Sequence, residues 1–441
     1  MKKLTLFSLT WPIFVEFLLL MTLGFVDTFM LSQYDDAAAG AVSAATQITG
    51  FLNLVLLIAS GGAGVLIAQY IGAGKKIEIE KVVSVSILTN AILGVIVSIS
   101  MIFFHDDLLG FMKVSSELMP YAKTYLKIVG SFMFIQALMN AMSVTIKSHG
   151  RTKEIMYISL AMNLLNIFGD AVFIYGLFGV PVLGVKGIAM ATVASRSIAM
   201  VLMTIFLFKR IVPLSALKHL VDKPITILKQ ILRIGLPATA EVISFNLTGI
   251  VLVTLLFANI GPEAVIAQAY TTKIIMFSVV FSYSIGNSTQ IMVGQLVGQK
   301  AFLEAYKTTM RNFSIAITLS ILSGLVLIFF GRYFISIFTT DSKIITIAVI
   351  ALIVDGFLEP GRAFNHIFVY ALRGAGDVVF PVIVGVIMGW SLRIGAGYFF
   401  GITLGYGYPG FVFGSLIDEW LRGIIMMFRW KSNKWQKKRL V

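Results

Sequence analysis

The chain has 441 residues, of which 58% are hydrophobic and 13% are charged. Ordinary soluble domains contain about 45–50% apolar and about 25% charged residues, so this composition excludes a soluble protein. Repeated apolar stretches of about twenty residues also exclude a disordered chain, a fibrous repeat and a secreted disulfide scaffold. The class that remains is an all-α polytopic membrane protein.

Cysteine is absent from the chain, which has four histidines. This excludes disulfides, thiolate metal sites and a cysteine nucleophile, and it leaves few ligands for a metal centre. The net charge of +14 comes mostly from lysines and arginines in short loops between apolar stretches. Basic residues in such loops indicate topology, so we expect anionic lipid head groups, and not nucleic acid, as the partner.

The apolar stretches predict about twelve membrane spans, because a helix needs about 20 residues to cross a hydrocarbon core about 30 Å thick. The spans start near residues 7, 46, 82, 120, 155, 186, 233, 265, 312, 344, 378 and 408. The first apolar stretch, residues 4–31, follows Met1, Lys2 and Lys3 and is too long for a signal peptide. It is therefore predicted to be an uncleaved first span.

Basic residues occur in alternate loops, which predicts that these loops and both termini are cytoplasmic. The loops contain Lys75, Lys76, Lys81, Lys147, Arg151, Lys153, Lys209, Arg210, Lys218, Lys223, Lys229, Lys300, Lys307 and Arg311. The intervening loops, such as those at residues 35–36 and 106–107, are acidic or neutral.

Several anchor residues of the first half recur in the second half at a nearly constant spacing. Pro12 and Glu16 match Pro237 and Glu241 (241 − 16 = 225), while Gln69, Gly72, Lys147 and Gly150 match Gln295, Gly298, Arg373 and Gly376 (295 − 69 = 226). Two repeats of six spans in the same orientation predict two lobes related by an axis along the membrane normal, with a central cleft. The predicted divisions are an N-lobe (1–210), a cytoplasmic linker (211–230), a C-lobe (231–430) and a basic cytoplasmic tail (431–441).

Charged side chains within the spans are candidate functional residues, because an ionised group at mid-bilayer costs about 2.5–3.5 kcal/mol. In the first half, Asp27 lies near the outer end of the first span. Asn163, Asn166 and Asp170 share one face of the fifth, at a similar depth. Such carboxylates and amides can hold a proton or coordinate a hard cation such as Na⁺. The alternative is a structural network that ties two helices together.

Each half opens its first span with Pro-x-x-x-Glu, and this pattern places Glu16 and Glu241 on the face of the proline. Both acids are expected to face the cleft. Repeat symmetry alone, or pairing with a nearby lysine, would also explain them. Gln69 and Gln295 are candidates of the same kind, although shared helix packing equally explains their recurrence.

The tenth span contains Asp355, Glu359, Pro360 and Arg362, which predicts a charged, broken helix at membrane depth. Glu359 and Arg362, three residues apart, are placed to form an ion pair or to contact a ligand. Asp355 has no partner close in sequence and therefore ranks ahead of Glu359 as a titrating group.

Leu372-Arg373-Gly374-Ala375-Gly376-Asp377, followed by Phe380-Pro381, resembles the motif of the multidrug and toxic compound extrusion (MATE) family. The segment from Lys147 to Lys153 looks like its first-half counterpart. Further matches are Val26-Asp27-Thr28, Asn163-x-x-Asn166-x-x-x-Asp170, Gly184-Val185-x-Gly187, Gly235-Leu236-Pro237, Gly294-Gln295-x-x-Gly298 and Asp418-Glu419-Trp420-Leu421-Arg422. The resemblance covers essentially the whole chain.

This resemblance implies two six-helix lobes around a V-shaped cleft, in the cytoplasmic membrane of a bacterium, and drug export driven by inward flow of H⁺ or Na⁺. It implies no cofactor beyond that coupling ion. The family's coupling-ion residues correspond here to Asp27, Asn163, Asn166 and Asp170, and its seventh-span acid to Glu241. Some members have an aspartate close to the position of Arg362, and an arginine there weakens the expectation of a sodium site in the C-lobe.

The sequence therefore predicts a monomeric antiporter, and not an enzyme, that exports amphipathic organic cations by alternating access. Lys273, Arg196 and Arg362 would instead favour anionic or zwitterionic substrates if they line the cleft. A flippase for lipid-linked precursors is a further alternative. A channel and an intramembrane enzyme are less favoured, because no repeated filter segment and no nucleophile–base or metal constellation is evident.

Overall fold

The structure, a computed structural model, describes residues 4–222 and 224–441. Met1, Lys2, Lys3 and Lys223, which the topology prediction placed in the cytoplasm, lie outside the described residues. Every regular element in the described part of the chain is a helix. The all-α fold predicted from composition is confirmed.

The first half of the chain forms seven of the described α-helices. They are α1 (Leu6–Tyr34), α2 (Asp36–Gly72), α3 (Lys76–Phe111), α4 (Met119–Ser131), α5 (Met133–Ser148), α6 (Thr152–Tyr175) and α7 (Val185–Arg210). Short 3₁₀ turns follow at Leu177–Gly179 and Leu214–Val221. Helices α4 and α5 meet at a 48° bend at Phe132 and together make one broken span.

The second half forms the remaining described helices. They are α8 (Pro224–Asn259), α9 (Pro262–Gly298), α10 (Phe302–Ser336), α11 (Ser342–Gly374), α12 (Val379–Met388) and α13 (Gly407–Lys431). Helix α12 continues as π-helix over Gly389–Ala396 and Phe399–Thr403. A 3₁₀ turn at Lys434–Lys438 ends the chain.

Ten described helices are long and apolar enough to cross a membrane, and the bent pair α4–α5 makes eleven. Helix α13 has 25 residues, enough for a further span, but it carries the buried charges of Asp418, Glu419 and Arg422. Counting it gives the twelve spans predicted from the sequence. Helices α2, α3 and α8 start up to about ten residues earlier than predicted, because polar turns beyond the hydrocarbon core remain helical.

Helix α11 is continuous through Pro360, so the predicted break in the tenth span is wrong. Proline has no N–H, and the carbonyl of Gly356, four residues earlier, loses its usual hydrogen bond. Helix α10 covers this carbonyl: a Cβ built on Gly324 would lie 2.3 Å from the Gly356 oxygen. Glycine at position 324 thus lets a neighbouring backbone pack against the freed carbonyl, which helps the helix to tolerate the proline.

The described chain contains two compact units. Of the described residues, the N-unit comprises Trp11–Ile67, 75–222 and 224–239, and the C-unit comprises 4–10, Ala68–Gly74 and Ala240–Val441. In the N-unit, Ala38, Ala41 and Ala45 on α2 are fully buried in a core that also contains Leu126 of α4 and Ile188 of α7. These small side chains allow close helix packing.

The end of the chain packs against the C-unit. Trp435 is fully buried and stacks on Trp430, with ring centroids 4.2 Å apart, and its indole N–H donates to the Trp430 carbonyl at 2.8 Å. Five residues further on, the backbone N–H of Leu440 donates to Gln69 Oε1 at 3.0 Å. These contacts hold the basic terminal segment on the end of α2.

Candidate functional site

The N-unit brings the predicted acid and amide residues together. Asp170 is fully buried on α6, and its side chain lies within hydrogen-bonding reach of Asp27 on α1. Asn166 Nδ2 donates to Asp170 Oδ2 at 3.1 Å, and Asn163 is buried one turn earlier on the same helix. The helical spacing read from the sequence places Asn163, Asn166 and Asp170 on one face of α6. Together with Asp27, which lies near Asp170, they form what we call the N-unit acid cluster.

Several polar atoms of this cluster have no hydrogen-bond partner among the described residues. They are Oδ1 of Asp27, Oδ1 of Asp170, and both Oδ1 and Nδ2 of Asn163. Leaving a buried polar group unpaired costs about 1–3 kcal/mol. The set of two carboxylates and an open amide oxygen fits the donors that share a proton or coordinate a hard cation.

A tyrosine and an arginine complete the surroundings of the cluster. Tyr125 on α4 is buried, and its side chain lies close to Thr46 on α2 and Thr192 on α7. Arg196, one turn after Thr192, interacts electrostatically with Asp27. The sequence indicated Arg196 as a residue that would favour anionic or zwitterionic substrates if it lined the cleft. It gave no signal for Tyr125, because the relation of α4 to α1 is tertiary.

Glu16 and Glu241, the paired acids of the Pro-x-x-x-Glu pattern, both form ion pairs. Glu16 Oε1 lies 2.7 Å from Lys147 Nζ, and Glu241 Oε2 lies 2.6 Å from Arg373 Nη2. Each pair is only partly exposed. Glu241 also lines the C-unit cavity, so for this residue an ion pair and a position at the cavity occur together.

The C-unit contains a cavity of about 600 Å³ between α8, α9, α11, α12 and α13. Its charged lining consists of four acids and four arginines, namely Glu241, Asp355, Asp418, Glu419, Arg362, Arg373, Arg393 and Arg422. The formal charges of these lining residues cancel. The lining of this cavity therefore has no excess of acids that would favour a cationic substrate.

Arg362 forms ion pairs with two acids of its own helix. Its Nη2 lies 3.2 Å from Asp355 Oδ1, and its Nη1 contacts Glu359 Oε1. The statement that Asp355 lacks a partner close in sequence was wrong, because seven residues are two helical turns and place both side chains on one face. The ranking of Asp355 above Glu359 loses its basis, since the two acids share one arginine.

Arg422 forms a second cluster of the same composition on α13. It lies 2.8 Å from both Asp418 Oδ2 and Glu419 Oε1. Asn365 on α11 donates to Glu419 Oε2 at 2.8 Å. The buried charges of α13 are therefore tied both to one another and to α11.

Arg393 differs from the other three lining arginines. It lies on the π-helical segment, donates to Thr248 Oγ1 at 3.2 Å and sits over the ring of Phe245, 4.0 Å from its centroid. No carboxylate of the described residues lies within 4.0 Å of it, whereas Arg362, Arg373 and Arg422 are each ion-paired.

The remaining candidates lie outside this cavity. Gln69 is fully buried, and its Nε2 donates to the Gly374 carbonyl at 2.9 Å while its Oε1 accepts from Leu440. Both the nitrogen and the oxygen of the Gln69 side-chain amide are therefore hydrogen-bonded to backbone atoms. Gln295 is buried on α9 with its carbonyl against Gly72. Lys273 is exposed on α9 and does not line the cavity.

A buried acid cluster and a charged cavity within a multi-pass helical protein are typical of membrane transporters. The family model MatE matches residues 12–172 and 237–399, which is more than half of the chain. The protein belongs to the multidrug and toxic compound extrusion (MATE) family of transporters. The resemblance inferred from the sequence is confirmed.

Relatives and solved structures agree with this assignment. The chain is 39% identical to the uncharacterized transporter YisQ of Bacillus subtilis, over 99% of this chain and 96% of YisQ. It is 29% identical to the probable multidrug resistance protein NorM of Thermotoga maritima, over 98% and 93%.

Two solved transporters share the fold at lower identity. A MOP superfamily transporter of Pyrococcus furiosus, described as having a binding pocket of reverse polarity, has a TM-score of 0.88 at 22% identity and covers 97% of this chain and 95% of its own. The Vibrio cholerae MATE transporter VcmN has a TM-score of 0.88 at 18% identity, with 98% of both chains covered.

Proposed function

We propose that this protein is a secondary active antiporter that exports amphipathic organic compounds in exchange for H⁺ or Na⁺ by alternating access. The observation that carries the proposal is the N-unit acid cluster, in which Asp27 and Asp170 lie within hydrogen-bonding reach of each other. Asn163, two turns before Asp170 on α6, has no hydrogen-bond partner for its amide among the described residues. Buried acids of this kind are costly in a membrane and are a hallmark of ion and proton pathways.

The two acids lie on different helices, so their charge state affects the packing of α1 against α6. Two unit charges about 4 Å apart repel by about 4 kcal/mol at an effective dielectric constant of about 20. That energy corresponds to about a thousandfold change in a conformational equilibrium. A bound H⁺ or Na⁺ removes the repulsion, and its release restores it. Ion binding therefore biases the transporter between two helix arrangements.

The C-unit cavity is the proposed binding site for the exported compound. Its volume of about 600 Å³ lies within the range of sites for drug-sized compounds. Leu252, Ile275 and Met276 give it an apolar wall, and the charged residues give it polar anchors. A compound with an apolar body and an ionic group matches this lining.

The decisive experiment measures dye efflux from proteoliposomes while the proton gradient and the sodium gradient are dissipated separately. One of the two treatments should abolish efflux, and the other should leave it intact. The Asp27→Asn variant should insert normally and lose gradient-driven export. Asp107→Asn, a matched change of an exposed aspartate at the end of α3, should keep it. Undiminished gradient-driven export by Asp27→Asn would remove the acid cluster from the mechanism.

We further propose that the protein is a monomer in the bacterial cytoplasmic membrane, with both termini cytoplasmic and its two repeats at residues 1–210 and 231–430. Residues 211–230 would form the cytoplasmic linker and 431–441 the cytoplasmic tail. The chain has no native cysteine, so single-cysteine variants report topology directly. A cysteine at Lys438 should be protected from an impermeant thiol reagent in intact cells, and one at Asp107 should react.

A further inference from the structure

We propose that the C-unit cavity binds its cargo through an anionic oxygen group, a carboxylate or a phosphate, and that Arg393 is the residue that holds this group. This inference rests on the proposed function and names the substrate class of the same transporter. It assigns to Arg393 a role that its position in the sequence did not suggest.

The first argument is the pairing of charges in the cavity. Arg362 and Arg422 each contact two carboxylates, and Arg373 contacts one. Every lining acid is therefore already bound to an arginine. Arg393 alone among the lining arginines has no carboxylate within 4.0 Å among the described residues. A cation entering the cavity must compete with an arginine for an acid, whereas an anion finds an arginine that has no carboxylate within 4.0 Å among the described residues.

The second argument is the hydrogen-bonding capacity of Arg393. A guanidinium has five N–H donors in a planar fork. The described contacts of Arg393 use one donor, to Thr248 Oγ1 at 3.2 Å. The guanidinium carbon of Arg393 lies 4.0 Å from the centroid of the Phe245 ring, and this cation–π contact uses none of the N–H donors. The fork thus keeps donors for a bidentate contact with a carboxylate or phosphate, the groups that this geometry fits.

The third argument is the way in which the fold positions Arg393. The residue lies in a π-helical segment, a rare conformation that is frequent at functional sites. Trp390, one turn earlier, donates from its indole N–H to Ser244 Oγ at 3.1 Å. Trp390 and Arg393 are therefore both hydrogen-bonded to residues 244–248 of α8. These two contacts orient the Arg393 guanidinium towards the cavity.

The experiment measures equilibrium binding to the purified protein in lipid nanodiscs, without any ion gradient. The probes are fluorescein, an organic anion, and ethidium, an organic cation with a planar ring system. Fluorescein should bind saturably to the wild-type protein. Arg393→Gln should weaken this binding at least tenfold. Arg393→Lys, which keeps the charge but loses the planar fork, should weaken binding less than Arg393→Gln does. Ethidium binding should not weaken in Arg393→Gln.

Arg332→Gln is the matched control, because Arg332 is exposed on α10 and does not line the cavity. It should bind fluorescein as the wild type does. Thr248→Val provides a second variant of nearly equal shape, in case Arg393→Gln is not recovered as a monodisperse protein. It removes the hydrogen bond that orients the guanidinium and should weaken fluorescein binding by about threefold.

Absence of saturable fluorescein binding to the wild-type protein, or equal binding by wild type and Arg393→Gln, would overturn the assignment. This failure is distinguishable from failure of the antiport proposal. Binding without a gradient does not depend on ion coupling, and the gradient-dissipation experiment does not depend on the identity of the anchoring residue.

Discussion

Glu241 on α8 and Arg373 near the end of α11 form an ion pair of 2.6 Å within the C-unit. Their repeat counterparts, Glu16 on α1 and Lys147 on α5, form an ion pair of 2.7 Å within the N-unit. All four side chains are between 15% and 23% exposed. The repeat seen in the sequence therefore also appears in the contacts. In each half, the glutamate that follows a proline by four residues forms an ion pair with the basic residue of the repeated motif.

We expect the Glu241–Arg373 pair to stabilise the C-unit measurably. Removing one partner of a buried ion pair costs about 3–5 kcal/mol, and the partial exposure of this pair places it at or below the low end of that range. A double-mutant cycle of Glu241→Gln and Arg373→Gln should give a coupling free energy of about 0.5–3 kcal/mol. The measurement is unfolding in mixed micelles.

Gly385 offers an independent check on the same ion pair. A Cβ at this position of α12 would lie 2.9 Å from Glu241 Oε1. Gly385→Ala should therefore displace the carboxylate and lower the measured coupling. A coupling below about 0.5 kcal/mol in the original cycle would show that the two side chains act independently.

The sequence predicted the repeats and the spans because both depend on residue type and spacing. The spacing of Asn163, Asn166 and Asp170 on one helical face was also sufficient to predict that these side chains lie together. The same periodicity places Asp355 and Arg362, which are two helical turns apart, on one face of α11. Their ion pair therefore also follows from the spacing in the sequence.

Other features depend on contacts between helices that no single sequence encodes locally. Helix α11 at Pro360 is packed against a glycine 36 residues earlier, Gly324, which covers the carbonyl of Gly356. The surroundings of Tyr125 on α4 come from α2 and α7, which contribute Thr46 and Thr192. The absence of a carboxylate beside Arg393, among the described residues, follows only from knowing where each acid lies.

A second prediction concerns the crossing of α2 and α9. A Cβ on Gly72 would lie 1.9 Å from the Gln295 carbonyl oxygen, and one on Gly298 would lie 2.0 Å from the Gln69 carbonyl oxygen. Backbone atoms cannot move aside as a flexible side chain does. Gly72→Ala and Gly298→Ala should each destabilise the protein by about 1–3 kcal/mol, as other overpacked sites do. Thermal unfolding monitored by size-exclusion chromatography measures the effect.

Gly61→Ala is the matched control on α2, because nothing lies within 4 Å of a Cβ at that position. Alanine is favoured over glycine within a helix by about 0.5–1 kcal/mol, so this variant should be neutral or slightly more stable. Equal melting temperatures for Gly61→Ala and Gly72→Ala would contradict the close helix crossing.

A third prediction separates stability from transport at Asn163. Both polar side-chain atoms of this residue are buried, and neither has a hydrogen-bond partner in the part of the chain that the structure describes, at a cost of about 1–3 kcal/mol. Asn163→Leu, nearly equal in shape, should therefore keep or raise the melting temperature while gradient-driven export is lost. Asn166→Leu, which removes the donor to Asp170, should lower the melting temperature instead. Normal export by Asn163→Leu would show that its amide takes no part in ion coupling.

The fourth prediction is a pH dependence at the turn between α1 and α2. Tyr121 donates from its hydroxyl to Asp35 Oδ2 at 2.7 Å, and the N–H of Ala37 donates to Asp35 Oδ1 at 2.8 Å. The tyrosine hydrogen bond, and after it the backbone hydrogen bond, lower the pKa of Asp35 below its ordinary value of about 3.9. A lowered pKa means that the carboxylate contributes stability above about pH 4 and loses it as the pH falls through the folded-state value.

Tyr121→Phe removes the larger of these two causes, so the pKa of Asp35 should rise towards its ordinary value. The first turn of α2 should then lose protection at a higher pH than in the wild-type protein. Hydrogen–deuterium exchange of residues 36–40 between pH 3 and pH 7, corrected for the intrinsic exchange rate, measures this shift. Tyr157→Phe, a matched change of an exposed tyrosine on α6, should leave the midpoint unchanged. If Tyr121→Phe and wild type share one midpoint, the Tyr121–Asp35 hydrogen bond does not hold the carboxylate in its charged form.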